Sequence, residues 1–133
     1  MNAVELAQNP RLTSFVAKDL NVDPKLPYEE DSFDVVTCVV SVDYLIDPRA
    51  VFEEICRVLK PGGKAIMSIS NRCFPTKAVA IWLQTNDLEH VFIVGSFFHY
   101  AGGFEPPEAI DLSPSPGVSD PLYIIQATKA TIF

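Results

Sequence analysis

The apolar and polar positions change their period at residue 47, where a strand pattern gives way to a helix pattern. Residues 33–42 form an almost unbroken apolar run that is rich in β-branched residues, which is typical of a strand covered on both faces. Asp47-Pro48 then provides an N-cap acceptor and a proline at the first helical position. The apolar residues that follow recur at helical spacing and form one stripe: Val51, Phe52, Ile55, Val58 and Leu59.

The run Lys60-Pro61-Gly62-Gly63 ends this helix and turns the chain into another strand. Proline cannot continue a helix, and glycine accepts positive φ angles, so a sharp turn is expected here. Residues 65–70 are the next predicted strand. A strand, a helix and a strand joined by tight turns predict a parallel βαβ unit, and hence an α/β fold.

The flanking segments give weaker patterns. Residues 91–94 fit a helix or a strand equally well, and we favour a helix over 90–101 because the apolar positions 91, 94, 98 and 101 share one helical face. The remaining predictions are a helix ending at Gln8, a strand over 12–18, a helix over 76–84, a long irregular connection over 105–121 and a final strand over 122–128.

Composition limits the class of function. The chain of 133 residues has 48% hydrophobic and 20% charged residues, which is typical of one globular domain. Its formal net charge is −7, so a direct nucleic-acid partner is not expected. The apolar runs are too short to cross a membrane, for which roughly 20 residues are needed, and no signal peptide is visible. The sequence therefore favours a cytoplasmic protein.

The cysteines and histidines do not form a metal or disulfide pattern. Cys38, Cys56 and Cys73 are widely spaced, and for Cys38 and Cys56 we expect plain core packing. His90 and His99 suit neither a metal site nor a catalytic triad, and we expect them at surface or partly buried positions. No metal site is predicted.

Three motifs in order carry a family resemblance. They are Phe33-Asp34-Val35-Val36, then Asp43-Tyr44-Leu45, then the stretch from Glu53 to Gly63, which reads EEICRVLKPGG. In this order they resemble the C-terminal part of a class I S-adenosylmethionine (SAM)-dependent methyltransferase of the small-molecule type. The resemblance implies a partial Rossmann-like sheet, mostly parallel with a possible antiparallel last strand, flanked by helices. It also implies that residues 1–133 form a single truncated methyltransferase-like domain.

The resemblance assigns roles to residues at the carboxyl ends of the strands, where open α/β sheets bind ligands. It implies that SAM is the cofactor and a small molecule the substrate. Each assigned residue also has a purely structural alternative, such as a turn-forming acid for Asp19 or packing for Tyr44. The implied cofactor contacts are Asp19 and Leu20 at the adenine, with Cys38, Val39 and Val40. The implied catalytic residues are Asp43 and Tyr44, and the implied substrate contacts are Asn71 and Arg72.

One element of the family pattern is missing. No glycine-rich turn follows a first strand, and Gly102-Gly103 lies too late in the chain to replace it. SAM binding is therefore expected to be weak or lost, and a chain that starts at an internal methionine fits the pattern. Two functions stay open: a methyltransferase acting on a small molecule in its full-length form, or an inactive partner that regulates a related methyltransferase.

In the family that the chain resembles, the first two strands lie between the strands that correspond to residues 12–18 and 33–42, and this sequence lacks them. Their absence leaves an edge to be covered. An unpaired apolar strand over 33–42 promotes association. We therefore expect that residues 12–18 pair directly with it, or that another chain supplies the missing strands in a homo- or hetero-oligomer.

Overall fold

The fold is a four-stranded sheet with helices packed against one of its faces. The computed structural model describes residues 2–131, and its strands are ordered β1-β2-β4-β3. Its elements are α1 (Ala3–Gln8), β1 (Phe33–Val39), a 3₁₀ turn (Val42–Tyr44), α2 (Pro48–Val58), β2 (Leu59–Ile69), α3 (Ala80–Leu83), α4 (Asp87–Ala101), β3 (Glu108–Asp111) and β4 (Tyr123–Thr128).

The predicted βαβ unit is present. β1 and β2 pair in parallel and α2 connects them, which confirms the α/β class. β4 pairs antiparallel with β2, so the antiparallel last strand is also confirmed. Because β3 pairs antiparallel with β4 as well, the described sheet contains one parallel and two antiparallel pairings, fewer parallel ones than expected.

The α2 stripe forms the centre of the core. Asp47 Oδ1 accepts a hydrogen bond from Ala50 N, which is the expected N-cap, and Pro48 occupies the first turn. All five predicted stripe residues are buried. Phe52 makes edge-to-face contacts with Phe97 and Phe98 on α4, with ring centroids 5.5 and 4.9 Å apart. This contact joins the βαβ unit to the second half of the chain.

The two glycines after α2 serve different purposes. Gly62 has a φ of +80°, which other residues rarely adopt. Gly63 has an ordinary φ but no room for a side chain, since a Cβ there would lie 2.8 Å from Lys60 O and 2.9 Å from Asp34 O. Both glycines lie within β2, which begins at Leu59, earlier than the predicted start at residue 65, and α2 ends before the run predicted to end it. The diglycine therefore permits the register shift and the close approach between β2 and β1.

The strand predicted over 12–18 is wrong, because these residues adopt no regular structure and do not pair with β1. A strand persists only when a neighbour accepts its backbone hydrogen bonds, and in the described residues 2–131 none lies beside this segment. β1 is consequently an edge strand.

β1 is also shorter than predicted and is covered on one face only. It ends at Val39, and Val40 adopts a φ of +42°. Val36 and Cys38 face the helices, whereas Val35 and Val39 are 51% and 65% exposed on the other face. Residues 33–42 lack polar alternation although only one face is covered, so the inference of two covered faces was wrong.

The second half of the chain differs in two places. The helix predicted over 76–84 shrinks to α3, because Val79 is extended and donates its N–H to Asp43 O at 3.0 Å. The irregular connection over 105–121 contains the short strand β3. The helix over 90–101 is confirmed as α4, which begins earlier at a capping box formed by Asn86 and Glu89.

Candidate cofactor site

A cavity of about 780 Å³ lies between residues 18–26, the edge strand β1 and α2. This volume is within the usual range for ligand pockets. Four of the five predicted cofactor contacts line it, from two segments that are far apart in sequence. Its lining includes Asp19, Leu20, Cys38, Val39, Tyr44, Leu45, Phe52 and Met67.

Asp19 forms a turn and lines the cavity at the same time. Its Oδ1 accepts a hydrogen bond from Asn21 N at 2.9 Å, so Asp19 has the turn-forming role that was its purely structural alternative. No residue in the described range 2–131 donates to its Oδ2. One carboxylate oxygen is therefore available to a ligand. Leu20 is half-buried and packs against the core.

Asn21 holds this turn against the chain that follows β1, a role the sequence analysis missed. Its Nδ2 donates to Tyr44 O at 2.8 Å, and its Oδ1 accepts from Ile46 N at 3.0 Å. An asparagine two residues after an aspartate reads as ordinary turn chemistry, so no sequence signal marked the long-range contact.

The Glu54–Arg57 ion pair on α2 fixes the other end of the segment. Glu54 Oε1 accepts from Leu26 N at 2.8 Å, and Arg57 Nη2 donates to Leu26 O at 3.1 Å. The hydrogen bond from Arg57 lowers the pKa of Glu54, against the opposing effect of burial. Both ends of the cavity-lining segment are thus attached by side chains.

Cys38, Val39 and Val40 end β1 beside the cavity. Cys38 and Val39 line it, whereas Val40 does not. Burial raises the pKa of the Cys38 thiol, which disfavours the nucleophilic thiolate form. A positive φ at a β-branched residue is strained, and such strain is concentrated at functional sites. Val40 has this conformation, and its N–H donates to Ser68 O at 3.0 Å.

Asp43 and Tyr44 lie on the 3₁₀ turn after β1. Tyr44 lines the cavity, and its hydroxyl accepts a hydrogen bond from Phe74 N at 3.0 Å, which positions the loop after β2. Asp43 is buried away from this cavity, and burial raises the pKa of its carboxyl group. The two adjacent residues therefore face different spaces.

Asn71 and Arg72 follow β2 and are exposed. Arg72 Nε donates to Asp120 Oδ2 at 2.9 Å, and neither residue lines the 780 Å³ cavity. The structure thus brings together Asp19, Leu20, Cys38, Val39 and Tyr44, but not the predicted substrate contacts.

A family model described as a methyltransferase domain matches residues 1–67, half of the chain. The chain belongs to this methyltransferase-domain family. The match covers both cavity-lining segments of the methyltransferase domain and the βαβ unit as far as Met67, two residues before the end of β2.

The methyltransferase domain has curated and structural relatives. The ubiquinone biosynthesis O-methyltransferase of Xanthomonas oryzae pv. oryzae is 35% identical over 86 residues, covering 59% of this chain and 36% of that protein. The chain thus spans about a third of that relative's length. A SAM-dependent methyltransferase from Aquifex aeolicus shares the fold with a TM-score of 0.63 at 15% identity, over 88% of this chain and 55% of that one.

Another structural match is a Thermotoga maritima protein described as a SAM-dependent methyltransferase and possible histamine N-methyltransferase. Its TM-score is 0.54 at 22% identity, over 80% of this chain and 60% of that one. At these identities the two structures show the shared fold.

Within residues 2–131, no three metal-ligating side chains cluster together. Nor does any helix in this range have the length and apolar character to span a bilayer.

Proposed function

We propose that residues 1–133 form one methyltransferase-like domain that binds SAM with its purine end in the 780 Å³ cavity. The observation that supports this proposal is the convergence of Asp19 and Leu20 with Cys38 and Val39 on one cavity, across the 17 intervening residues 21–37.

The residues present fit the nucleoside end of the cofactor. A carboxylate oxygen accepts a hydrogen bond from an exocyclic amine, and Asp19 Oδ2 is available for one. Leu20, Val36 and Met67 supply apolar surface for the ring. When bound, SAM supplies an electrophilic methyl group on its sulfonium.

The methyl acceptor is proposed to be a small molecule with a hydroxyl or amine group. Asp43 would take the proton that such a group loses, and its raised pKa makes it a stronger base than an exposed aspartate. Tyr44 would position the loop after β2 through Phe74 N. Asn71 and Arg72, which are exposed on that loop, remain predicted contacts of the substrate.

Calorimetric titration with S-adenosylhomocysteine tests the cofactor site. Wild type is expected to bind, and Asp19→Asn is expected to bind about tenfold more weakly, a loss of about 1.4 kcal/mol. Asparagine can still accept from Asn21 N through Oδ1, but its Nδ2 replaces the free acceptor with a donor. The turn is kept while the proposed contact is lost.

Asp34→Asn is the matched control, because Asp34 is exposed and pairs only with Lys60 in the described structure. It should bind like wild type. Equal affinity of Asp19→Asn and wild type would contradict the adenine contact. Absence of heat with wild type, together with stable association with a longer methyltransferase, would favour the inactive-partner alternative.

We also propose that the free edge of β1 pairs with the same edge of a second copy. Antiparallel pairing centred on Thr37 places Val35 of one copy opposite Val39 of the other and opposes no two charged residues. Light scattering should then give a dimer that Val35→Lys converts to a monomer. A wild-type monomer at all concentrations would contradict this pairing.

A further inference from the structure

A second, smaller cavity of about 260 Å³ lies between the chain after β1 and helices α3 and α4. Its walls are apolar except at Asp43 and Ser96, and Ile46 and Ile81 line its solvent-exposed side. Leu45 lines this cavity and the 780 Å³ cavity, so the two spaces share one wall residue. A ligand in either cavity can therefore contact Leu45.

Asp43 brings an unsatisfied acceptor into this apolar space. The residue is 5% exposed, and its buried Oδ2 has no hydrogen-bond partner within residues 2–131. Leaving a buried polar atom unpaired costs about 1 to 3 kcal/mol, so such atoms are normally satisfied by protein, water or ligand. Ser96 Oγ donates to Ile93 O at 2.6 Å and keeps its acceptor capacity.

A stacked pair of rings makes the wall beside Asp43 rigid. The Trp82 ring, which lines the cavity, stacks on His90 with centroids 3.7 Å apart and planes 2° apart. His90 Nε2 lies 2.8 Å from Trp82 O, and because a carbonyl oxygen only accepts, Nε2 carries the proton. His90 is thus buried and structural, which corrects the expectation of a surface or partly buried position.

His90 also leaves a polar atom without a partner. Its Nδ1 is buried and unpaired within residues 2–131, as Asp43 Oδ2 is. A charged His90 would lower the pKa of Asp43, against the larger effect of burial, so the two groups lie close enough to interact. One small region therefore holds two unsatisfied polar atoms among apolar side chains.

We propose that this cavity binds the methyl acceptor, a small apolar molecule of roughly one ring whose single hydroxyl or amine donates a hydrogen bond to Asp43 Oδ2. The inference rests on the proposed function, because it places the acceptor beside the proposed cofactor cavity. The apolar walls exclude acceptors with several polar groups, since each would lose hydration without gaining a partner.

Phenol and toluene are suitable probes because they differ by a hydroxyl and a methyl group on the same ring. Titration of the cofactor-free protein, followed by amide chemical shifts, should show phenol binding about tenfold more tightly than toluene. The shifts should concentrate at Asp43 and Ser96. Equal affinities for the two probes, or binding of neither, would overturn the proposal.

Two variants separate the contact from folding. Asp43→Leu removes the acceptor, so the tenfold preference for phenol should fall to about one. Asp43→Asn keeps an acceptor and a polar shape and should retain a preference of about threefold, and the exposed Asp34→Asn should leave the preference unchanged. An unchanged preference in Asp43→Leu would overturn the proposal.

Titration of the same wild-type sample with S-adenosylhomocysteine separates the two proposals. Binding of S-adenosylhomocysteine without binding of phenol rejects the acceptor site and leaves the cofactor site supported. If the protein binds phenol but does not bind S-adenosylhomocysteine, the cofactor proposal fails. The assignment of this cavity to a methyl acceptor is then overturned as well.

Discussion

The N-terminal segment, residues 9–27, and the βαβ unit, residues 33–69, line the same cavity but are held by different forces. The βαβ unit is held by backbone pairing and by the buried stripe of α2. The N-terminal segment has no strand, and within the described residues its long-range hydrogen bonds are made through Asn21, Glu54 and Arg57. The side of the cavity that carries Asp19 is therefore the less stable one.

The difference in stability between the two regions follows from how many apolar side chains each region buries. Leu20 and Leu26 pack against the core, but Leu12, Phe15 and Val16 remain exposed. Regions with few buried contacts open locally at low cost. A site with one rigid and one easily opened wall is expected to gain order when a ligand fills it.

Truncating one phenylalanine in each region should give the largest contrast. Phe52→Ala removes a fully buried ring and should lower the free energy of unfolding by about 3 to 5 kcal/mol. Phe15→Ala removes a ring that is 42% exposed and should cost about 0.5 kcal/mol. Urea unfolding followed by circular dichroism measures both.

If Phe52→Ala does not fold, Phe52→Leu provides the measurement, with an expected loss of about 1 to 2 kcal/mol. If Phe15→Ala lowers the free energy of unfolding as much as Phe52→Ala does, residues 9–27 belong to the core.

Glu54→Gln should weaken the attachment between the two regions. It keeps an acceptor for Leu26 N but loses the charge that pairs with Arg57, and should cost about 1 to 2 kcal/mol at pH 7. Because the pKa of Glu54 is lowered by folding, this contribution is present above its ordinary value of 4.5 and is lost as pH falls through the lowered value.

Wild type and Glu54→Gln should therefore converge in stability in acid. The matched control is Glu53→Gln, since Glu53 makes an exposed pair with Arg49 and should change stability by less than about 0.5 kcal/mol. A difference in the free energy of unfolding between wild type and Glu54→Gln that does not change with pH would contradict an ionic attachment through Glu54.

Val40→Gly tests the junction after β1 and should have the smallest effect. Glycine accepts a φ of +42° without strain, so the free energy of unfolding should rise by about 0.5 to 1 kcal/mol. Val39→Gly, one residue earlier in the strand, should instead lower it by about 1 kcal/mol. Thermal unfolding of the two variants shows whether each substitution raises or lowers the free energy of unfolding. If Val40→Gly destabilises the protein as Val39→Gly does, strain at Val40 is excluded.

The βαβ unit could be predicted from sequence because its signals are local. Asp47-Pro48 begins α2 and the apolar stripe gives its buried face, whereas the helix ends at Val58, before the diglycine, which lies within β2. The N-terminal segment could not be predicted, because whether residues 12–18 form a strand depends on a neighbour and not on their own pattern. The same holds for Val79, whose contact with Asp43 O breaks the helix that local spacing favoured.

The candidate site follows the same division. Residue types and motif order placed Asp19, Leu20, Cys38 and Val39 at the cofactor, and the structure brings them to one cavity. The hydrogen bonds from Asn21 to the chain after β1 and the burial of His90 beside Asp43 depend on tertiary contacts that no local pattern encodes.

Amide chemical shifts during titration with S-adenosylhomocysteine test most directly whether both regions form one nucleoside site. The account predicts that the amides of Leu20, Cys38 and Val39 shift together with a single dissociation constant, while β3 stays unchanged. Shifts confined to β3 and α4, or no shifts at saturating ligand, would contradict it.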